Sequence, residues 1–193
     1  MPLGLGFFAA AGAGGAVLND YELIQTFEAA SNTSTVTFSN IPQSYKHLQI
    51  RHSIRSGQSG GAIQFRMRFN GVTTGTSYHS HFMSGDGSSV TRDGNLSSAY
   101  LNVGWAAGAG AGTNNHGGGI IDILDYSVTN KNKTVRCLGG VPTPGGSQIG
   151  LISSFYNSTS AITEISFATI TAGEFLIAGS QGTSRFSLYG IKG

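Results

Sequence analysis

The chain has 193 residues, of which 30 are glycine and only 10% are charged; glycine runs at about twice its usual ~7% and charge well under half of the usual ~25%. Eleven basic residues stand against nine acidic ones, a formal net charge of +2, which leaves no clustered positive field for a nucleic-acid partner. Apolar residues make up 39% and recur in short clusters all along the chain, which excludes disorder and predicts one folded domain with many turns.

Residues 1–19 are apolar and rich in Gly and Ala. They lack the basic start of a secretory signal and are too short and too broken by glycine to form a spanning helix. No targeting signal and no membrane insertion are expected. The segment is read instead as an attachment arm that docks into a groove on a partner subunit or wraps a symmetry axis of its own oligomer, with Leu3, Leu5, Phe7 and Phe8 as its anchors.

From residue 20 to 193 the chain reads as strand after strand. Strands are predicted at 21–27, 35–39 and 45–55, the last with Leu48 and Ile50 on one face. Residues 62–70 alternate cleanly, with Ile63, Phe65, Met67 and Phe69 on one side and Gln64, Arg66, Arg68 and Asn70 on the other. Asn70-Gly71 follows as a tight-turn signal, because both residues tolerate positive φ. A strand at 77–83 places His79 and His81 on one face, and 85–94 reads as a polar loop. A strand at 99–105 precedes the low-complexity Ala/Gly loop at 106–112. The longest apolar run free of Gly and Ala then gives a hairpin, 120–126 with 134–138, joined by an Asn/Lys loop. Strands at 148–156, 161–170, 175–178 and 185–191 complete the set. No stretch has a helical period, and no internal repeat appears. The fold class is all-β, an antiparallel β-sandwich of jelly-roll-like form. Its expected core is Leu23, Val36, Phe38, Leu48, Ile50, Phe65, Phe69, Ile121, Ile123, Val135, Ile165, Phe167, Phe186 and Leu188.

Little in the residues points to chemistry. His79 and His81 project from one face at a spacing that could bind zinc, but Asp86 and Asp93 lie nearby only in the predicted loop, so ordinary surface histidines are expected. Asp122 and Asp125 fall on opposite faces of a strand, a poor geometry for a carboxylate pair. Asp125 is expected to close the strand and cap the loop after it. The glycine runs lack the Lys-Ser or Lys-Thr of a phosphate loop, and no nucleophile elbow is present. No catalytic residue, metal or cofactor is assigned. Cys137, alone and in an apolar strand, is read as a small buried hydrophobe. Tyr78, Tyr100, Trp105, Phe155 and Tyr156 could stack on sugar rings if exposed, or serve as core and subunit packing if not.

Four blocks, IPQSYKHLQIR at 41–51, FRMRFNG at 65–71, IIDILDYSVTNKNKTVRCLGG at 120–140 and SRFSLYGIKG at 184–193, occur in an order that resembles a family of small bacteriophage virion proteins. The opening MPLGLGFF is similar to that of several members as well. The resemblance implies a structural, non-enzymatic protein of the virion, of the tail-fibre, head-fibre, spike or capsid-decoration type, and carries over no catalytic residues. The reading taken is a sandwich at 20–193 held to other virion proteins through 1–19, associating as a homotrimer. The alternative is a carbohydrate-binding module that reads host surface glycans through Tyr78, Tyr100, Trp105 and Tyr156.

Overall fold

The computed structural model describes residues 20–143, 147–171, 174–175 and 182–193. The attachment segment expected at 1–19, with Leu3, Leu5, Phe7 and Phe8, lies outside the described residues, as do 176–178 of the strand expected at 175–178. Among the described residues twelve strands form: β1 Tyr21–Glu28, β2 Thr35–Phe38, β3 His47–Ile54, β4 Ala62–Phe69, β5 Tyr78–Gly85, β6 Val90–Ser98, β7 Leu101–Ala107, β8 Gly117–Leu124, β9 Lys133–Val141, β10 Gln148–Tyr156, β11 Ile165–Thr169 and β12 Arg185–Ile191.

They build two antiparallel sheets packed together. The larger has the order β1-β12-β3-β8-β9-β10-β5-β6, the smaller β2-β11-β4-β7. The antiparallel sandwich is the expected one. Its layers are unequal, and twelve strands exceed the eight of a simple jelly roll. At an edge of the small sheet, β7 packs against β8, β9, β10 and β5. The two layers are stitched where the chain leaves β3, since the Ser56 N–H donates to the Ala107 carbonyl at 2.7 Å.

Inward-facing aromatic rings hold the layers together. Phe65 of β4 meets Phe186 of β12 edge-on at 6.2 Å, and Phe167 of β11 stacks on Phe186 at 4.8 Å. All three rings are buried, as is Phe175, which also contacts Phe65 and Phe186. Truncating one such ring to Ala costs ~3–5 kcal/mol, the lost transfer energy plus the cavity left behind. His52 completes this cluster with its ring 5.0 Å from that of Phe65.

The expected core is buried throughout except at Leu23, which is 55% exposed. Leu23 sits on the edge strand β1 opposite Tyr189, just before a register shift. The apolar demand of β1 is met by Ile24 and Phe27 instead, which pack against the core. The polar loop expected at 85–94 is a turn only as far as Ser89, after which β6 begins. Asp86 locks that turn by accepting from the Ser88 and Ser89 N–H groups at 2.8 and 2.7 Å. An edge strand needs no apolar alternation, because the ladder to β5 alone holds it in place.

Asn70 and Gly71 adopt φ of 51° and 67°, and the turn closes through the Val72 N–H to the Phe69 carbonyl at 2.9 Å. It joins no hairpin. It carries the chain from β4 in the small sheet to β5 in the large one.

Candidate interaction surface

The outer face of the larger sheet divides into a polar and an apolar half, and its register shows why. Successive side chains of a strand point to opposite faces, so outward positions line up in rows across neighbouring strands. One row runs Ile120, Leu138, Leu151, Met83 and Arg92 across β8, β9, β10, β5 and β6. The row beside it runs Gly118, Gly140, Ile149, Gly85 and Val90. Val90 is 72% exposed, Ile149 64%, and Met83, Leu138 and Leu151 each more than half. These side chains form an apolar plateau, with exposed Phe155 two rows further down β10. Isolated exposed apolar residues are ordinary on a protein surface; a contiguous block marks an interaction site.

Three glycines in the second row leave gaps between the branched side chains. A cleft of about 540 Å³ opens there, bounded by Leu138, Gly140, Val141, Pro142, Gly85 and Ile149. A smaller depression of about 320 Å³ adjoins it between Met83, Val90 and Leu151. The row on the other side of the plateau is polar: Asp122, Arg136, Ser153, His81 and Gly94. On β3 and β12 the outer face carries a polar network. The Arg51 Nε–H donates to Gln49 at 3.0 Å, and the Gln49 amide donates to Asp122 at 2.9 Å. The Arg51 guanidinium also lies over the rings of Tyr189 and Tyr21, at 5.1 and 5.7 Å.

These plateau residues were legible in part. The strands read apolar on both parities at Ile120-Ile121, Cys137-Leu138 and Leu151-Ile152, and one member of each pair has to face outward. Ile121, Cys137 and Ile152 are the buried members.

The aromatic residues considered for glycan stacking divide differently from the expectation. Tyr78, Tyr156 and Trp105 are buried and offer no face to a sugar. Tyr78 and Tyr156 are cross-strand partners, stacked at 5.0 Å. The Tyr78 hydroxyl accepts from the Phe69 N–H at 3.0 Å and donates to the Val72 carbonyl at 3.1 Å, and burial pushes its pKa up to about 12. Trp105 lies edge-on to Phe82 at 6.1 Å, against Gly150. Tyr100 is half-buried, with the Arg66 guanidinium 5.6 Å over its ring.

His79 and His81 do share the outward face of β5, as period two requires. The His79 ring stacks flat on Phe155 at 4.4 Å. Among the described residues no three His, Cys, Asp or Glu side chains gather where a metal ion could be held. Asp93 and Asp122 lie on β6 and β8, four strand spacings or about 19 Å apart, beyond the ~9.5 Å of even an inverting glycosidase pair. Asp125 closes β8 at a φ of 49°, and its carbonyl accepts from the Val128 N–H at 3.1 Å. Lys131 holds its carboxyl below the usual range, with His47 and Lys46 nearby. The Asp125 N–H donates to Nδ1 of His47 at 2.9 Å.

Several polar groups that sequence reasoning passes over are spent inside the fold. Lys133 is fully buried at the start of β9. Its ammonium donates to the carbonyls of Val128, Lys131 and Thr159, the last two at 3.0 Å. Arg55 is buried with Nη1 on the carbonyls of Gly112 and Asn115, at 2.7 and 2.9 Å. Cys137 is buried as expected, and burial raises its thiol pKa far above the reactive range. No protein-family model, no curated protein and no solved structure matches the chain.

Proposed function

We propose that the chain is a non-enzymatic structural protein of a bacteriophage particle, a tail or head fibre or a capsid decoration. The sandwich at 20–193 is the displayed body, and residues 1–19 attach it to another virion protein. Several copies associate, three by expectation. One observation carries the assembly reading: the apolar plateau centred on Leu138 and Leu151, each more than half exposed. A surface of that kind belongs to a chain that works in contact with other proteins. The narrower assignment to a virion rests on the resemblance of the four blocks at 41–51, 65–71, 120–140 and 184–193. Of the residues considered for glycan stacking only Tyr100 and Phe155 stay accessible, and each already has a ring face taken, by Arg66 and by His79.

The test uses the full chain and a variant with Leu3, Leu5, Phe7 and Phe8 all replaced by serine, each mixed with particles lacking the protein. The unaltered chain is expected to sediment with the particles and the variant to stay in solution. An unaltered chain that stays in solution overturns the reading. A variant that binds as well as the unaltered chain removes the role of 1–19.

A further inference from the structure

We propose that the plateau formed by Ile120, Leu138, Leu151, Met83, Ile149 and Val90 is the surface through which one copy of this chain meets a second copy. The inference deepens the assembly reading above by naming the partner of that face.

Size is the first argument. The plateau spans five strands at ~4.8 Å and two rows about 7 Å apart along them, an apolar area on the order of 300 Å² once the side chains are included. That is the size of the largest patch a typical monomer exposes, roughly 300–600 Å², and such patches are often functional. A stable interface takes roughly 800 Å² from each partner, about 65% of it apolar where copies of one chain meet. The plateau therefore supplies about half of the apolar area of such an interface, and the polar row beside it supplies a rim.

Charge is the second argument. The groups around the plateau are of both signs: Arg92 and Arg136 against Asp86 and Asp122. A strongly acidic or basic partner would call for a rim of one sign, as would an anionic membrane surface. A mixed rim can meet a second copy of itself without net repulsion. The relief of the plateau is also self-matching. Gly118, Gly140 and Gly85 leave gaps beside Ile149 and Val90 into which branched side chains of a second plateau can fit.

Leu138 and Leu151 are adjacent across β9 and β10 at the middle of the plateau, 55% and 53% exposed. A glutamate at either place leaves the inward face of its strand untouched. The experiment measures mass by light scattering across a concentration series for the full chain, Leu138→Glu and Leu151→Glu, with circular dichroism as the control for folding. The unaltered chain is expected to give a defined dimer or trimer, and each variant the 20.0 kDa of a single chain with an unchanged spectrum. Should either variant unfold, Met83→Glu on β5 replaces it in the comparison. An unaltered chain that is monomeric throughout overturns the proposal, as do folded variants that keep the oligomer. A monomer that floats with phosphatidylcholine vesicles also overturns it and assigns the plateau to a lipid surface. The particle-binding test is separate, because its variant alters only residues 3–8. Loss of particle binding with self-association intact leaves this inference standing.

Discussion

Trp105 and Gly150 are fitted to one another: a Cβ placed on the glycine would stand 2.2 Å from the indole ring. The glycine lies on β10 of the large sheet and the tryptophan on β7 of the small one, so the pair sets how closely the layers approach. Gly150→Ala forces the indole or β7 to move, and overpacking of this kind costs ~1–3 kcal/mol. The expected result is a lower urea midpoint and a shifted emission maximum from Trp105, the single tryptophan of the chain. An unchanged midpoint together with an unchanged spectrum would show that the contact is not tight.

His52 is expected to make the fold sensitive to acid. It is 7% exposed, Nδ1 has no hydrogen-bond partner, and burial lowers its pKa from 6.5 to about 4. The unfolded chain therefore binds more protons than the folded one between those two values. Stability is full above pH 6.5 and is lost as pH falls toward 4, by about 2 kcal/mol between pH 7 and pH 5. His52→Phe removes the titrating group while keeping a ring against Phe65 and Phe186. The difference between pH 7 and pH 5 in its urea midpoint is expected to shrink relative to the unaltered chain. Identical pH dependence in both proteins would assign the acid sensitivity elsewhere.

What the sequence made legible follows from period two and the turn residues. The strands at 148–156 and 185–191 were bounded correctly because apolar residues and turn signals agree there. The same rule, applied to neighbours, also assigns the faces of the aromatic residues. His79 and Phe155 face outward, so Tyr78 and Tyr156 beside them have to face inward. The burial of Trp105 was not legible in that way, because its cause is a glycine on another strand of another sheet. Lys133 was hidden for a different reason: lysine is almost never fully buried, and its three carbonyl partners lie in loops whose approach no local pattern encodes. The edge strand β6 was missed because Thr91, Arg92, Asp93 and Gly94 carry no apolar alternation, and the ladder to β5 supplies what alternation does not. The plateau was visible only as apolar residues on both parities, and the register was needed to gather Leu138, Leu151 and Met83 into one row.

Asn70 ties two segments together from a position that also requires positive φ. Its amide donates to the Ala161 carbonyl at 2.9 Å, and its Oδ1 accepts from the Thr163 and Glu164 N–H groups at 2.9 and 3.1 Å. Asn70→Ala removes these bonds and places a residue poorly suited to φ of 51° in the turn. A loss of about 2–3 kcal/mol is expected. Asn70→Gly keeps the turn while losing the same bonds, so it should fall between the two. If the glycine variant is as stable as the original chain, the side-chain bonds contribute nothing.

Lys133 anchors the β8–β9 loop from inside. Its ammonium gathers the carbonyls of Val128 and Lys131 within the loop and of Thr159 from the segment after β10. Lys133→Met keeps an unbranched chain of similar length in the same space but leaves three carbonyls without their donor. Each buried acceptor left unpaired costs ~1–3 kcal/mol, offset in part where water can enter. The expected loss is at least about 2 kcal/mol in urea unfolding. Amide exchange should accelerate at residues 126–132 while the paired centre of β9 and β10 keeps its protection. Equal acceleration across β9 and β10 would mean that Lys133 supports the whole sheet, and unchanged exchange at 126–132 would mean that the loop is held by Asp125 and Lys131 without it.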